Sequence, residues 1–176
     1  MVRINYRVEN NPELATEIME KASARLASLG KLDKFPIAWR PENTNMKSML
    51  SDYDAKPDEF KVVFVDDEPI AAGILQKGDR LKWAKWPCAK NALYGYRFAG
   101  NPESSMSKTK IVFDILKDYG KSIGVPVIRI DCADFERAKL RLYMSQGFKQ
   151  VGIQKEKSET WILLEFDPEL AAKPPD

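Results

Sequence analysis

The stretch from Tyr94 to Cys132 constrains this chain more than any other. An apolar segment ends at Asn101-Pro102, and a helical pattern follows with Ile111, Ile115, Leu116, Tyr119 and Ile123 on one face. Gly124 closes that helix, and Val127–Cys132 is a second apolar run. Strand, helix and strand in this order make a right-handed crossover, which lays the two strands parallel. A parallel pair is buried on both faces, so helices must cover both sides of its sheet.

The rest of the chain has the elements to do so. Asn11 suits a helix cap, Pro12 its first turn and Gly30 its end, with Leu14, Ile18, Ala22, Leu26 and Leu29 at helical spacing between them. A shorter helix is predicted across Met46–Tyr53. Phe60–Val65 and Ile70–Gln76 read as strands joined by the turn Asp66-Asp67-Glu68-Pro69. A further hairpin-like stretch is predicted through Arg80–Trp86, returning as Ala92–Ala99. The third long helix is expected to start near Asp134 as its cap and to stop at Gly147. The last strand, Trp161–Phe166, is expected to pair with part of Phe148–Gln154. The order β-α-α-β-β-β-α-β-α-β places the chain in the α/β (α+β) class, with a mixed central sheet and helices on both faces. Residues 1–170 are read as a single domain and 171–176 as a tail.

The absence of histidine excludes Ser-His-Asp and Cys-His chemistry and leaves no reason to expect a metal site. Acid–base work falls to carboxylates, tyrosine, lysine, a thiol or water. The two cysteines, Cys88 and Cys132, read as buried thiols. With 28 basic and 26 acidic residues the net charge is +2, which gives no electrostatic case for nucleic acid. No apolar run approaches the ~20 residues that span a bilayer. The first residues lack the pattern of a secretory leader, so a cytoplasmic location is the expectation.

From Leu93 to Gly152 the sequence resembles the GNAT N-acetyltransferase superfamily. Leu93–Glu103 is similar to the family's fourth strand and the turn after it, and Val127–Cys132 to its fifth strand. Leu140–Phe148 resembles the closing helix, where a tyrosine, here Tyr143, stands four residues before Gly147-Phe148. The resemblance implies transfer of an acetyl or other acyl group from acetyl-coenzyme A, or another acyl-coenzyme A, to a small-molecule or peptide amine. It also implies a pyrophosphate loop of the form Q/R-x-x-G-x-G/A, whose backbone N–H groups point at the coenzyme. Here Ser104, Ser107 and Thr109 take the three signature positions, or Ser105, Lys108 and Lys110 if the register shifts by one, and neither register keeps a glycine. Hydroxyls and lysine charge can replace the lost contacts; alternatively Ser104-Ser105 only caps a helix and the lysines are solvated. A fold that has lost tight coenzyme binding and serves as a ligand-binding or interaction module is therefore the alternative to the enzyme.

The same resemblance implies that Tyr143 protonates the departing thiolate. It further implies that the backbone of Arg97, Phe98 and Ala99 holds the acyl arm. Near Glu136, where the family often has an asparagine at the coenzyme, this chain differs. Asp131 is the carboxylate placed to act as general base, against a plain role at the start of the following helix. Cys132 next to it lacks an activating histidine and reads as structural. Lysines and tryptophans interleave in Leu81–Pro87, which suits an amphipathic strand; base stacking has little support from the charge. A third reading makes Trp83, Trp86, Tyr94 and Tyr96 an aromatic wall for a cationic or ring-bearing acceptor. Pairing of exposed sheet edges leaves a homodimer open.

Overall fold

The structure is a computed structural model that describes residues 5–78, 91–106, 109–156 and 159–171. Strands β1 (Tyr6–Asn10), β2 (Phe60–Val65), β3 (Glu68–Gln76), β4 (Ala92–Gly100), β5 (Val127–Ala133), β6 (Lys149–Glu156) and β7 (Glu159–Phe166) form one sheet. Their order is β1-β2-β3-β4-β5-β7-β6. Among the described strands only β4 and β5 pair in parallel, as the crossover requires.

Helices α1 (Pro12–Ser28) and α2 (Met46–Asp52) cover one face, and α3 (Thr109–Ser122) and α4 (Arg137–Ser145) the other; α5 (Pro168–Ala171) is a single turn. Alternation along the strands divides the core. Val62 and Phe64 pack with Ala15, Ile18, Met19 and Met49, whereas Val63 and Val65 join Val112, Phe113, Ile115 and Leu116. Each large side chain fully buried this way contributes roughly 1.5–3 kcal/mol. The caps of α1 form as expected: Asn11 Oδ1 accepts from the Leu14 N–H at 3.1 Å, and Gly30 turns the chain at φ 62°.

Two expectations need correction. Helix α4 starts at Arg137 with Glu136, not Asp134, at its N-cap position. The Asp134 N–H instead donates to the Thr160 carbonyl at 2.9 Å, which holds it to the sheet. Phe135 lies in the intervening turn and is 46% exposed. Asp131 lies inside β5 and does not cap a helix. The predicted strand Arg80–Trp86 lies outside the described residues.

Two features of β4 open the sheet. Its pairing with β5 runs from Ala92↔Val127 to Gly95↔Ile130 and then stops, although β4 continues to Gly100 and β5 to Ala133. The two arms diverge into a V. On the β3 side, Ala72 pairs with Ala99 and Ile74 with Tyr96, so Gly73 faces both Arg97 and Phe98. That bulge puts Arg97 at φ 56°, a left-handed conformation uncommon for a side-chain-bearing residue.

Candidate active site

The V is hollow. Three cavities surround Phe98 and Lys139, which line all of them. A small one of about 60 Å³ sits at the apex, walled by Trp39, Tyr53, Tyr96, Arg97, Asp131 and Tyr143 among others. One of about 300 Å³ opens on the α1 face, beside Arg25, Lys31, Phe35 and Trp39. One of about 270 Å³ lies along the end of β4 between Phe113 of α3 and Leu142 and Tyr143 of α4. The Phe98 ring can lie flat on the strands because two of its neighbours lack a Cβ. One built on Gly73 would stand 2.8 Å from the ring, and one on Gly95 would stand 3.2 Å from it.

On the α1 face the bulge directs the Arg97 side chain into the segment before α2. Its guanidinium donates to the Ala38 carbonyl, to Thr44 Oγ1 at 2.6 Å and to the Tyr53 hydroxyl, and lies 4.4 Å over the Trp39 ring. Burial pulls the Arg97 pKa below its ordinary value. Tyr53 stacks at 5.4 Å on Tyr96. Its phenol is pushed up to about 12, first by burial and then by the field of Asp131, with Arg97 opposing. Ser23 of α1 donates to the Trp39 carbonyl at 2.7 Å and completes this wall.

On the β5 arm, Asp131 lines the apex cavity. Glu136 is 6% exposed; one carboxylate oxygen accepts from the Ala133 N–H at 3.0 Å, and the other pairs with Lys139 at 2.7 Å. Lys139 in turn faces Phe35 and Trp39, each at 5.6 Å, and so bridges the two arms of the V. Tyr143 packs edge-on against Phe113 at 5.4 Å. Burial, with smaller contributions from Cys132, Glu136 and Asp131, raises its phenol far above the ordinary value. Cys132 is buried and its thiol is pushed up to about 12, chiefly by desolvation. A thiol in that state is no nucleophile at neutral pH.

Tyr143, Asp131, Glu136, Arg97, Phe98 and Tyr96 therefore meet at one place, and Ala99 lines the two outer cavities. Tyr94 does not line these cavities: its hydroxyl accepts from Arg129 at 3.2 Å, inside a core ion pair. In the loop after β4, the Ser104 hydroxyl accepts from the Met106 N–H, while the Ser105 N–H donates to a carboxylate oxygen of Glu68 at 3.0 Å. Lys110 is exposed on the first turn of α3. Ser107, Lys108, Trp83 and Trp86 lie outside the described residues, and Thr109 opens α3 through its backbone. Sequence reasoning missed Trp39, Tyr53, Lys139 and Trp161 at the apex. Only the concentration of aromatics and charge could have pointed to them.

No protein-family profile and no curated protein sequence matches the chain. Solved structures do. A GNAT-family acetyltransferase from Listeria monocytogenes is 17% identical, with 92% of this chain and 94% of that one covered at a TM-score of 0.67. Another from Streptococcus agalactiae is 12% identical, covering 91% and 94% at 0.66. A putative acetyltransferase from Salmonella typhimurium, solved with its cofactor acetyl-CoA, is 14% identical, covering 98% of each chain at 0.55. At these identities the likeness establishes the fold, and the fold is that of the GNAT acetyltransferases.

Proposed function

We propose that this chain transfers an acyl group from an acyl-coenzyme A to an amine acceptor, directly and without a covalent enzyme intermediate. The observation that carries this reading is the V itself. It brings a buried, protonated phenol (Tyr143) and a carboxylate (Asp131) to the walls of one cavity beside the β4 bulge. The groove between α3, α4 and the end of β4 suits an extended, largely apolar arm ending in a thioester. There the backbone of Arg97, Phe98 and Ala99 would hold the acyl end, and Ser104, Ser105, Ser107, Lys108, Thr109 and Lys110 would meet the pyrophosphate, with Glu136 nearby. Asp131 would take the proton that the acceptor nitrogen loses as its bond to the acyl carbon forms. Tyr143 would give its own proton to the sulfur as the carbon–sulfur bond breaks, so that charge balances across the step. Trp39, Tyr53 and Tyr96 would wall the acceptor.

A second reading, a non-catalytic ligand-binding or interaction module on the same fold, draws its support from the loop. It has no glycine, and the Ser105 N–H already faces a carboxylate. Acetyl-coenzyme A titrated against the melting temperature separates the two. Ligand at 100 times its Kd adds roughly 2.7 kcal/mol to a native state that alone binds it. No shift at millimolar acetyl-coenzyme A removes the enzyme reading.

A further inference from the structure

The apex cavity holds a charge that acyl transfer in itself does not use. Arg97 is 6% exposed and lines the cavity, yet among the described residues no carboxylate forms an ion pair with it, and exposed Asp52 acts on it only through its field. Its partners are neutral: the Ala38 carbonyl, Thr44 Oγ1, the Tyr53 hydroxyl and the Trp39 ring. Its Nε is buried with no hydrogen-bond partner among the described residues. Taking a guanidinium out of water without an anion is costly, so a cation kept in this state marks a place where an anion binds.

That place is also where an acceptor amine must enter. A plain ammonium, and still more a polyamine, is repelled by Arg97. An amine with a carboxylate a bond or two away is attracted. The opposite wall has the complementary sign. Tyr53 reports on both sides, since its hydroxyl is bonded to Arg97 while the field of Asp131 raises its pKa. Beyond Trp39, which the apex cavity shares with the α1-face cavity, Arg25 and Lys31 add positive charge. We propose that Arg97 binds the carboxylate of the acceptor, with the amine toward Asp131, and that the acceptor is a free amino acid. This inference rests on the acyltransferase reading of the same site.

The test sets free L-amino acids against their decarboxylated partners, such as alanine against ethylamine and phenylalanine against phenethylamine. Melting temperature is followed with and without acetyl-coenzyme A, together with release of the coenzyme thiol. We expect amino acids to raise the melting temperature. At least one should release thiol with a kcat/KM about 100-fold or more above that of its decarboxylated partner, because a buried polar group left unpaired penalises the wrong ligand. Arg97→Gln should abolish the amino-acid shift, and Arg97→Lys should retain part of it. Decarboxylated amines that match the amino acids overturn the proposal, as does the absence of any amino-acid shift. If acetyl-coenzyme A fails to bind, the acyltransferase reading falls. An amino-acid shift that Arg97→Gln removes would then still uphold the carboxylate site. Should Arg97→Gln not fold, the comparison of ligands on the unaltered protein decides.

Discussion

Two arginines are buried to almost the same degree and live in different electrostatic worlds. Arg129, 5% exposed, sits where β5 and β7 are fully paired. Its cross-strand partner is Glu165, reached at 2.7 and 2.8 Å through two nitrogens, and Tyr94 takes a third bond. Arg97, 6% exposed, sits where β4 and β5 have parted. It has no such anion among the described residues. In the closed half of the sheet, charge is neutralised within the fold. At the open apex, charge is held by dipoles and an aromatic face. The closed pair serves stability, and the open one, on the proposal above, serves ligand recognition.

The largest effect expected from this contrast is on the closed side. Glu165→Ala strands the Arg129 charge in the core and should cost about 3–5 kcal/mol of unfolding free energy, read by urea titration. Arg97→Met removes a charge that had no anion to lose and mainly orphans the Ala38 carbonyl, so it should cost only about 1–2 kcal/mol. Equal losses would make Arg97 a structural residue and dissolve the distinction. Next in size is Tyr143→Phe, which should lower acyl-transfer turnover about 100-fold while leaving KM for acetyl-coenzyme A nearly unchanged. The pH profile sharpens it. Because burial raises the Tyr143 pKa, the acid stays protonated through the ordinary phenol value of about 10, and its alkaline limb must lie above that. A limb centred near 10 that vanishes in Tyr143→Phe would contradict the burial.

The sequence made the closed half easier to read than the open one. Helix α1 with its Asn11 cap, the β2–β3 hairpin and the crossover through α3 all follow from local spacing, which one stretch of chain carries by itself. Tyr143 and the Arg97–Ala99 strand end, which line the cavities, could be singled out in the sequence because the motif around each is local too. The acceptor wall was not. Arg97 meets Ala38 and Thr44 across 59 and 53 residues, and no periodicity links those positions. Asp131 stood between two sequence readings, a base and a helix-start residue, for the same reason. Its place on the cavity wall depends on β4 and β5 parting one residue earlier, at Gly95 and Ile130, which is a property of the sheet and not of the strand.

The loop after β4 offers the smallest and most discriminating test of the open side. Its Ser105 N–H donates to Glu68 at 3.0 Å, so a carboxylate stands where the family resemblance places coenzyme phosphates. Glu68→Gln keeps an oxygen acceptor for that N–H but removes the repelling charge. Acetyl-coenzyme A affinity should then tighten about 3-fold at low salt, and the gain should shrink as ionic strength rises, since the group is partly exposed. Weaker binding would mean that the carboxylate orders the loop for the coenzyme. An unchanged Kd would show that the phosphates never approach Ser105. Affinity would then have to come from the groove between α3 and α4, and the open side would bind its arm and its acceptor without a phosphate cradle at all.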